Sequence, residues 1–544
     1  METDGENGTA PTRALTSDWL AGMVRRAGGP RRFFWAMLLG VAAIRLLLIG
    51  QFGLSVDESH YAMFARRLAW GYFDHPPMVA FLAASTSWPG AHSFWFRLGP
   101  VLCSLLALGL LWRLARALYP DERIAPLALG LFLLLPVHHL LGMALLPDAT
   151  LNLFWIAGLW AAWRAFETRR WPWWIMTGLL FGGMLLSKYH GVLFPLVLFV
   201  YAAWGRETRS WLWNPKPYAA GLIGLAVFSP NILWNARHEW MSYAFQLSRG
   251  GSGGAFEMEY LLKAVGGQLA AGSPILFVML IVAALGVVAR GRNAAKPDRF
   301  ALAACLPVFL FFILIGLFGD ILPHWPAVGW YGGALALAAA LARAAAKGGA
   351  VAARWNRWTR IGAWTALAMN ALMIVAIAVP VVPPLYRGAR SVSLALHRRI
   401  PSLRPLRPYQ PKFDITNDLY GWDETARQIE ALRAAMPNPD RTFVVCHRFF
   451  LSSLIGAHLR PDTVVATFDH RPNQYRLWFD PAAHAGWDAL FVDYHARWHQ
   501  GPERYRPQFE RLDPDPPARI EIQRRGETVH VFDVFRYYGF KGEM

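Results

Sequence analysis

From Phe34 to Val382 apolar residues run in blocks of thirteen to twenty-two, separated by short polar links. Blocks near the roughly 20 residues that cross a bilayer's hydrocarbon core predict membrane helices at Phe34 to Gln51, Phe96 to Trp112, Ala125 to Leu141, Leu151 to Ala165, Trp173 to Ser187 and Val192 to Trp204. Five more follow at Tyr218 to Leu233, Pro274 to Ala289, Phe300 to Phe318, Trp325 to Leu341 and Ile361 to Val382, with a further helix or half-helix at Tyr260 to Ala271. After the first block the pattern changes. From Glu58, the residues Tyr61, Phe64, Ala65, Leu68 and Ala69 recur at helical spacing while Arg66, Arg67 and Trp70 take other faces, which predicts an amphipathic helix lying in the membrane interface. Gly71 would end it, and Asp74-His75-Pro76-Pro77 would start another, since proline suits a helix's first turn.

Beyond Val382 the chain reads differently. Residues 383–412 are rich in Pro and Arg and predict a linker. After it, TFVVCHR, TVVATF and ALFVDY have the form of short buried strands, and IEIQRRGETVHVF that of a hairpin turning at Arg525-Gly526. Helices near Glu424 to Ala434 and from Pro507 would cover that sheet. The expected fold is a multi-pass α-helical membrane protein with a C-terminal soluble α/β domain. Its parts are a polar, unstructured tail (1–33), a membrane domain (34–382, first outer loop 52–95), the linker (383–412) and the soluble domain (413–544).

Composition agrees: the 544 residues are 55% hydrophobic and only 17% charged, too apolar for an ordinary soluble chain. The formal charge of +18 does not indicate nucleic acid, because the basic residues are neither gathered in a tail nor spread along one soluble module. They fall instead in alternate loops: Arg25, Arg26, Arg31 and Arg32, then Arg113, Arg116 and Arg123, then Arg164, Arg169 and Arg170, and so on to Arg354, Arg357 and Arg360. Positive loops face the cytoplasm, so about eleven crossings put the N-terminus inside and everything after Val382 outside. The first block lacks a following small-residue cleavage site and reads as a retained anchor. Cys103, Cys305 and Cys446 have no metal-ligand spacing and read as packing residues.

Ionisable residues show a second asymmetry. His60, His75, His92, His138, His139, His190, His238 and His324 all lie in or beside loops that this topology places outside, as do Asp57, Glu58, Asp74, Asp148, Lys188, Arg237, Glu239 and Asp320. Such groups are costly near bilayer depth and mark functional positions. Asp57 and Asp74 have a plainer alternative, since each stands where a helix N-cap belongs. The density of Asp57, Glu58, His60, Tyr61, Asp74 and His75 in one turn-helix-turn element exceeds what two caps need.

The run DESHYAMFARRLAWGYFDHPP resembles the first outer loop of the polyprenyl-phosphate-sugar-dependent glycosyltransferases of the GT-C superfamily, which includes protein O-mannosyltransferases and lipid A aminoarabinose transferases. LPDATLNLFW, LLSKYHGVLF, SPNILWNARHEW, PHWPA and RPNQYRLWFD extend the likeness in order along the chain. It implies a bacterial inner-membrane enzyme with a periplasmic C-terminal domain. Such an enzyme moves a sugar from a polyprenyl-phosphate carrier to a lipid or glycan acceptor, with inversion at the anomeric carbon, and Asp57 is its catalytic carboxylate. It also brings Asp148, and Gln474 with Tyr475, to the site. His75 departs from the pattern: the aminoarabinose transferases carry a lysine there, thought to meet the carrier phosphate.

The chemistry asks for little more. A polyprenyl phosphate leaves as a stable anion, so one base and a cationic clamp suffice, unlike the paired carboxylates of a glycosidase. For the clamp the order of preference is Lys188, Arg237, His75 and His324; Lys188 has no acidic neighbour in sequence, whereas Arg237 can pair with Glu239. Glu58, Tyr61, Asp74, Tyr189 and His238 complete the candidate substrate-binding set. No cofactor is required by this chemistry; a divalent metal on some of Asp74, His75, His238 and His324 is conceivable. The rival expectation is a transporter or lipid flippase, against which stands the clustering of polar groups at one face.

Overall fold

A computed structural model describes residues 18–250, 257–379, 382–400, 402–495 and 499–543. All eleven apolar blocks are helical over most of their length, and among the described residues five helices are long and apolar enough to cross a membrane: Ser93–Leu118, Pro215–Arg237, Pro274–Asn293, Lys296–Ile315 and Gly349–Ala378. Two blocks are broken. Ala125 to Leu141 divides into Ile124–Leu134 and Pro136–Leu141, where proline removes a backbone donor and disfavours helix at Leu135. Phe300 to Phe318 divides at Ala304-Cys305, again just before a proline-bearing turn. The bundle core is aromatic, with Trp155, Trp174 and Trp330 fully buried. Between Trp171–Ser187 and Pro215–Arg237 the seam is made by glycines: a Cβ on Gly178 would stand 2.5 Å from the Ala220 carbonyl, and one on Gly182 would stand 2.4 Å from Val227. Small residues let backbones approach where lipid offers no hydrophobic drive.

Four expectations about local structure are corrected. The interfacial helix is Val56–Ala65, shorter than predicted, because the Tyr72 hydroxyl closes the following turn between the Phe64 and Arg67 carbonyls and accepts from the Ala69 N–H. Residues 18–26 of the tail form a helix, whereas those before Asp18 lie outside the described residues. The first part of the linker is a helix, Val382–Arg399, whose two prolines sit in its first turn, where they cost nothing, while residues 402–410 form neither helix nor strand. Pro507 starts no helix; one 3-10 turn leads directly into a strand.

The soluble domain is a six-stranded mixed sheet built from β1 (Thr442–Cys446), β2 (Val465–Thr467), β3 (Asp488–Tyr494), β4 (Phe509–Leu512), β5 (Ala518–Arg524) and β6 (Glu527–Phe540). β1 lies parallel to both β2 and β3, and β6 runs antiparallel to β3, β4 and β5. The β5–β6 turn falls at Arg525-Gly526 as predicted, both at positive φ (49° and 82°), as a tight hairpin turn requires. Helix Phe449–Gly456, on one face of this sheet, docks on Val56–Ala65. Arg66 fastens the two by donating to the carbonyls of Gly456 (2.9 Å), Ala457 (3.0 Å) and Leu459 (3.1 Å), the orphan acceptors at that helix's C-terminal end.

Candidate active site

The N-terminus of Val56–Ala65 decides which of two adjacent carboxylates is free. Ser55, not Asp57, is the N-cap, and it forms a capping box with Glu58: the Glu58 N–H donates to Ser55 Oγ, and the Ser55 N–H donates to Glu58 Oε2 at 2.9 Å. Glu58 is buried and takes both prongs of Arg97 (2.7 and 2.6 Å) together with the Leu145 N–H at 3.0 Å. Arg97 in turn donates to the carbonyls of Ile49, Phe52 and Gly53, so this pair ties the first two long helices to the loop between them. Burial alone would raise the Glu58 carboxyl; the guanidinium and the backbone donors outweigh it and hold the carboxyl below its ordinary value.

Asp57 has the opposite fate. It faces a cavity of about 440 Å³ between the bundle and the outer domain, and among the described residues its carboxylate has no hydrogen bond or ion pair. Asp57 is open to the cavity, but the protein packed around it thins the solvent and Asp74 and Glu58 stand near, so its carboxyl is raised above the ordinary range despite the counter-influence of His60 and Lys188. Asp74 is no cap either, since the next helix is Met78–Ser87, with Pro77 at its N-cap. Its carboxylate meets His60 Nε2 at 3.2 Å, while His60 Nδ1 lies 3.2 Å from Ser453 Oγ of the outer domain. Burial is outweighed at Asp74 by the His60 imidazole, and the carboxyl is lowered to about 2.

Tyr61, His75, Asp148, Lys188, Tyr189, His324 and Gln474 line the same cavity as Asp57 and Asp74. Lys188 does have an acidic partner, one that sequence distance hid: Nζ meets both oxygens of Asp148 at 2.9 and 2.8 Å, deep in the wall. His324 Nε2 approaches the same carboxylate at 3.9 Å. Burial lowers both His75 and His324 to about 4, so at neutral pH they are uncharged hydrogen-bonding groups. Tyr189 bonds Ser242 at 2.7 Å, and the Gln474 side chain accepts the Phe73 N–H at 2.7 Å, closing the cavity from the outer domain.

Four of the sequence-derived residues lie elsewhere. Glu58 is in the Arg97 pair; Arg237 is exposed and makes no ion pair with Glu239; His238 stacks on Trp234 and bonds its carbonyl at 2.8 Å; Tyr475 is buried behind Gln474 with its hydroxyl on Ser453. The cavity adds His60, His190, Gln246, Asp469 and Arg471, which the residue reasoning left out of the site. His60 was detectable, standing one helical turn after Asp57; Arg471, held by Asp469 at 3.1 Å, comes from the outer domain and carried no local signal beyond its place in RPNQY. Among the described residues no group of three or more His, Cys, Asp or Glu side chains is placed to hold a metal ion.

Comparison with known proteins gives a consistent answer. Residues 74–234 match the sequence profile of the dolichyl-phosphate-mannose-protein mannosyltransferase family. The lipid A galacturonosyltransferase RgtD of Rhizobium johnstonii is 24% identical over 300 residues, 52% of this chain and 59% of its own length. ArnT from Cupriavidus metallidurans, bound to undecaprenyl phosphate, superposes with a TM-score of 0.62 at 17% identity, over 92% of this chain and 97% of its own. Its apo state gives 0.57 with the same identity and coverage. The chain therefore shares the fold of ArnT over nearly its whole length, and its residues 74–234 are similar to the dolichyl-phosphate-mannose-protein mannosyltransferase family.

Proposed function

We propose that the protein transfers a hexose or pentose from a polyprenyl-phosphate carrier to an envelope glycolipid of the lipid A type, on the outer face of a bacterial inner membrane and with inversion at the anomeric carbon. The observation that carries this reading is Asp57: a carboxylate without a structural partner among the described residues, raised by its surroundings, facing a cavity that also holds Lys188 and Arg471. An elevated carboxylate is a better base at neutral pH. The acceptor hydroxyl gives its proton to Asp57 as its oxygen bonds to the anomeric carbon, and the carbon–phosphate oxygen bond breaks with its electron pair leaving on the phosphate. Lys188 and Arg471 offset the charge that collects on that phosphate, with His75 and His324 as neutral donors. ArnT holds undecaprenyl phosphate and RgtD acts on lipid A, which supports the donor and acceptor classes. The test is turnover of a radiolabelled polyprenyl-phosphate sugar by the purified protein with extracted lipid A. Release of prenyl phosphate with label in the lipid is expected, with the anomer read by NMR; binding without release, in the presence of acceptor, would overturn the proposal.

A further inference from the structure

The first outer loop separates two helices whose other ends meet far from the cavity. Pro30–Leu48 carries Arg31 at the end remote from that loop, about 26 Å from Leu48 at 1.5 Å per residue. Ser93–Leu118 carries Arg113 and Arg116 at its own remote end. Between these helices lies a groove of about 630 Å³, lined by Phe34, Trp35, Leu38, Leu105, Leu106, Gly109, Leu110 and Trp112 and rimmed by the three arginines. Phe34 and Trp112 form its floor, with ring centroids 5.1 Å apart. None of the three arginines forms an ion pair with a described residue, and the nearby Asp121 is taken by Arg123 at 2.7 Å. Interfacial snorkelling accounts for isolated arginines at a helix end, but not for three of them converging on one apolar trough. A hydrocarbon-lined slot ending in guanidinium groups matches one chemistry, an acyl chain beneath a phosphate.

We propose that this groove binds an anionic phospholipid from the leaflet opposite the active-site cavity, its acyl chain between the two helices and its headgroup phosphate held by Arg31, Arg113 and Arg116. Basic pockets between membrane helices select anionic lipids in this way, and guanidinium is suited to fork-like phosphate recognition. A Cβ on Gly109 would meet nothing within 4 Å, so the slot is open at its centre and can be filled without moving the helices. The experiment is native mass spectrometry of the full chain in detergent, offered phosphatidylglycerol or phosphatidylcholine with identical chains. Phosphatidylglycerol should be retained about tenfold better. In R113Q/R116Q that preference should vanish, and Gly109→Phe, which blocks the slot but keeps every arginine, should lower phosphatidylglycerol retention at least severalfold. Equal retention of the two lipids by the wild type, or undiminished phosphatidylglycerol retention in Gly109→Phe, would overturn the proposal even if the arginine variant failed to fold.

Discussion

Asp57 and Glu58 are neighbours in the chain with unlike chemistry. The capping box and Arg97 bind Glu58 into the frame, which leaves Asp57 facing the cavity. Asp57→Asn should reduce turnover by about 10²- to 10⁴-fold, the usual worth of a positioned base, while donor binding persists. Because the folded carboxyl is raised above its unfolded value, the ionised group opposes folding at neutral pH, and the amide should leave the melting temperature equal or higher. The same shift gives the pH profile. A base works when deprotonated, so kcat/KM should fall with decreasing pH around a midpoint above the ordinary aspartate range, and this limb should be absent in Asp57→Asn. Lys188 and Asp148 are coupled differently. Lys188→Met strands a buried carboxylate and should cost about 3–5 kcal/mol, whereas Lys188→Met with Asp148→Leu should recover most of the stability, read by denaturation, without recovering turnover.

At the scale of elements, the ten-residue helix Val56–Ala65 is too short to persist alone in water. It is held at its start by Ser55, Glu58 and Arg97 and along its side by the outer domain's helix Phe449–Gly456. Glu58→Gln should therefore destabilise the protein by about 3–5 kcal/mol, leaving Arg97 buried without its countercharge. The sign of the pH effect follows from the lowered Glu58 carboxyl: its contribution is complete above the ordinary glutamate value and is lost as pH falls through the lower folded value. Glu58→Gln should flatten that acid loss in a melting-temperature series. The helices themselves were legible, since blocks of thirteen or more mostly apolar residues leave the backbone little alternative in lipid. Their breaks at Pro136 and at Cys305 before Pro307 show how proline divides a continuous apolar run.

For the whole molecule, the cavity has two walls from different domains, tied together by hydrogen bonds. Arg66, Gln474 and His60 are among the polar anchors, on the Gly456 to Leu459 carbonyls, the Phe73 N–H and Ser453 Oγ. Replacing Arg66 by Leu should remove bonds worth about 1.5–3 kcal/mol, raise amide exchange in Phe449–Gly456 and lower turnover, with the membrane helices melting as before; unchanged exchange would show that the domains are held some other way. The sequence by itself determined the membrane helices, the change to an α/β module and the motif order, because hydropathy and period are local properties that lipid and water each read directly. It also brought Asp57, Asp74, His75, Lys188 and His324 forward as candidates, since ionisable residues stand out against an apolar background. Only the tertiary structure decided that Ser55 and not Asp57 caps the helix, that Lys188 is paired across forty residues with Asp148, that Glu58 belongs to Arg97, and that Arg471 reaches the cavity while Arg237 does not. Each of those outcomes rests on contacts between distant segments, and pairing energy depends on distance in space, which spacing along a chain does not fix.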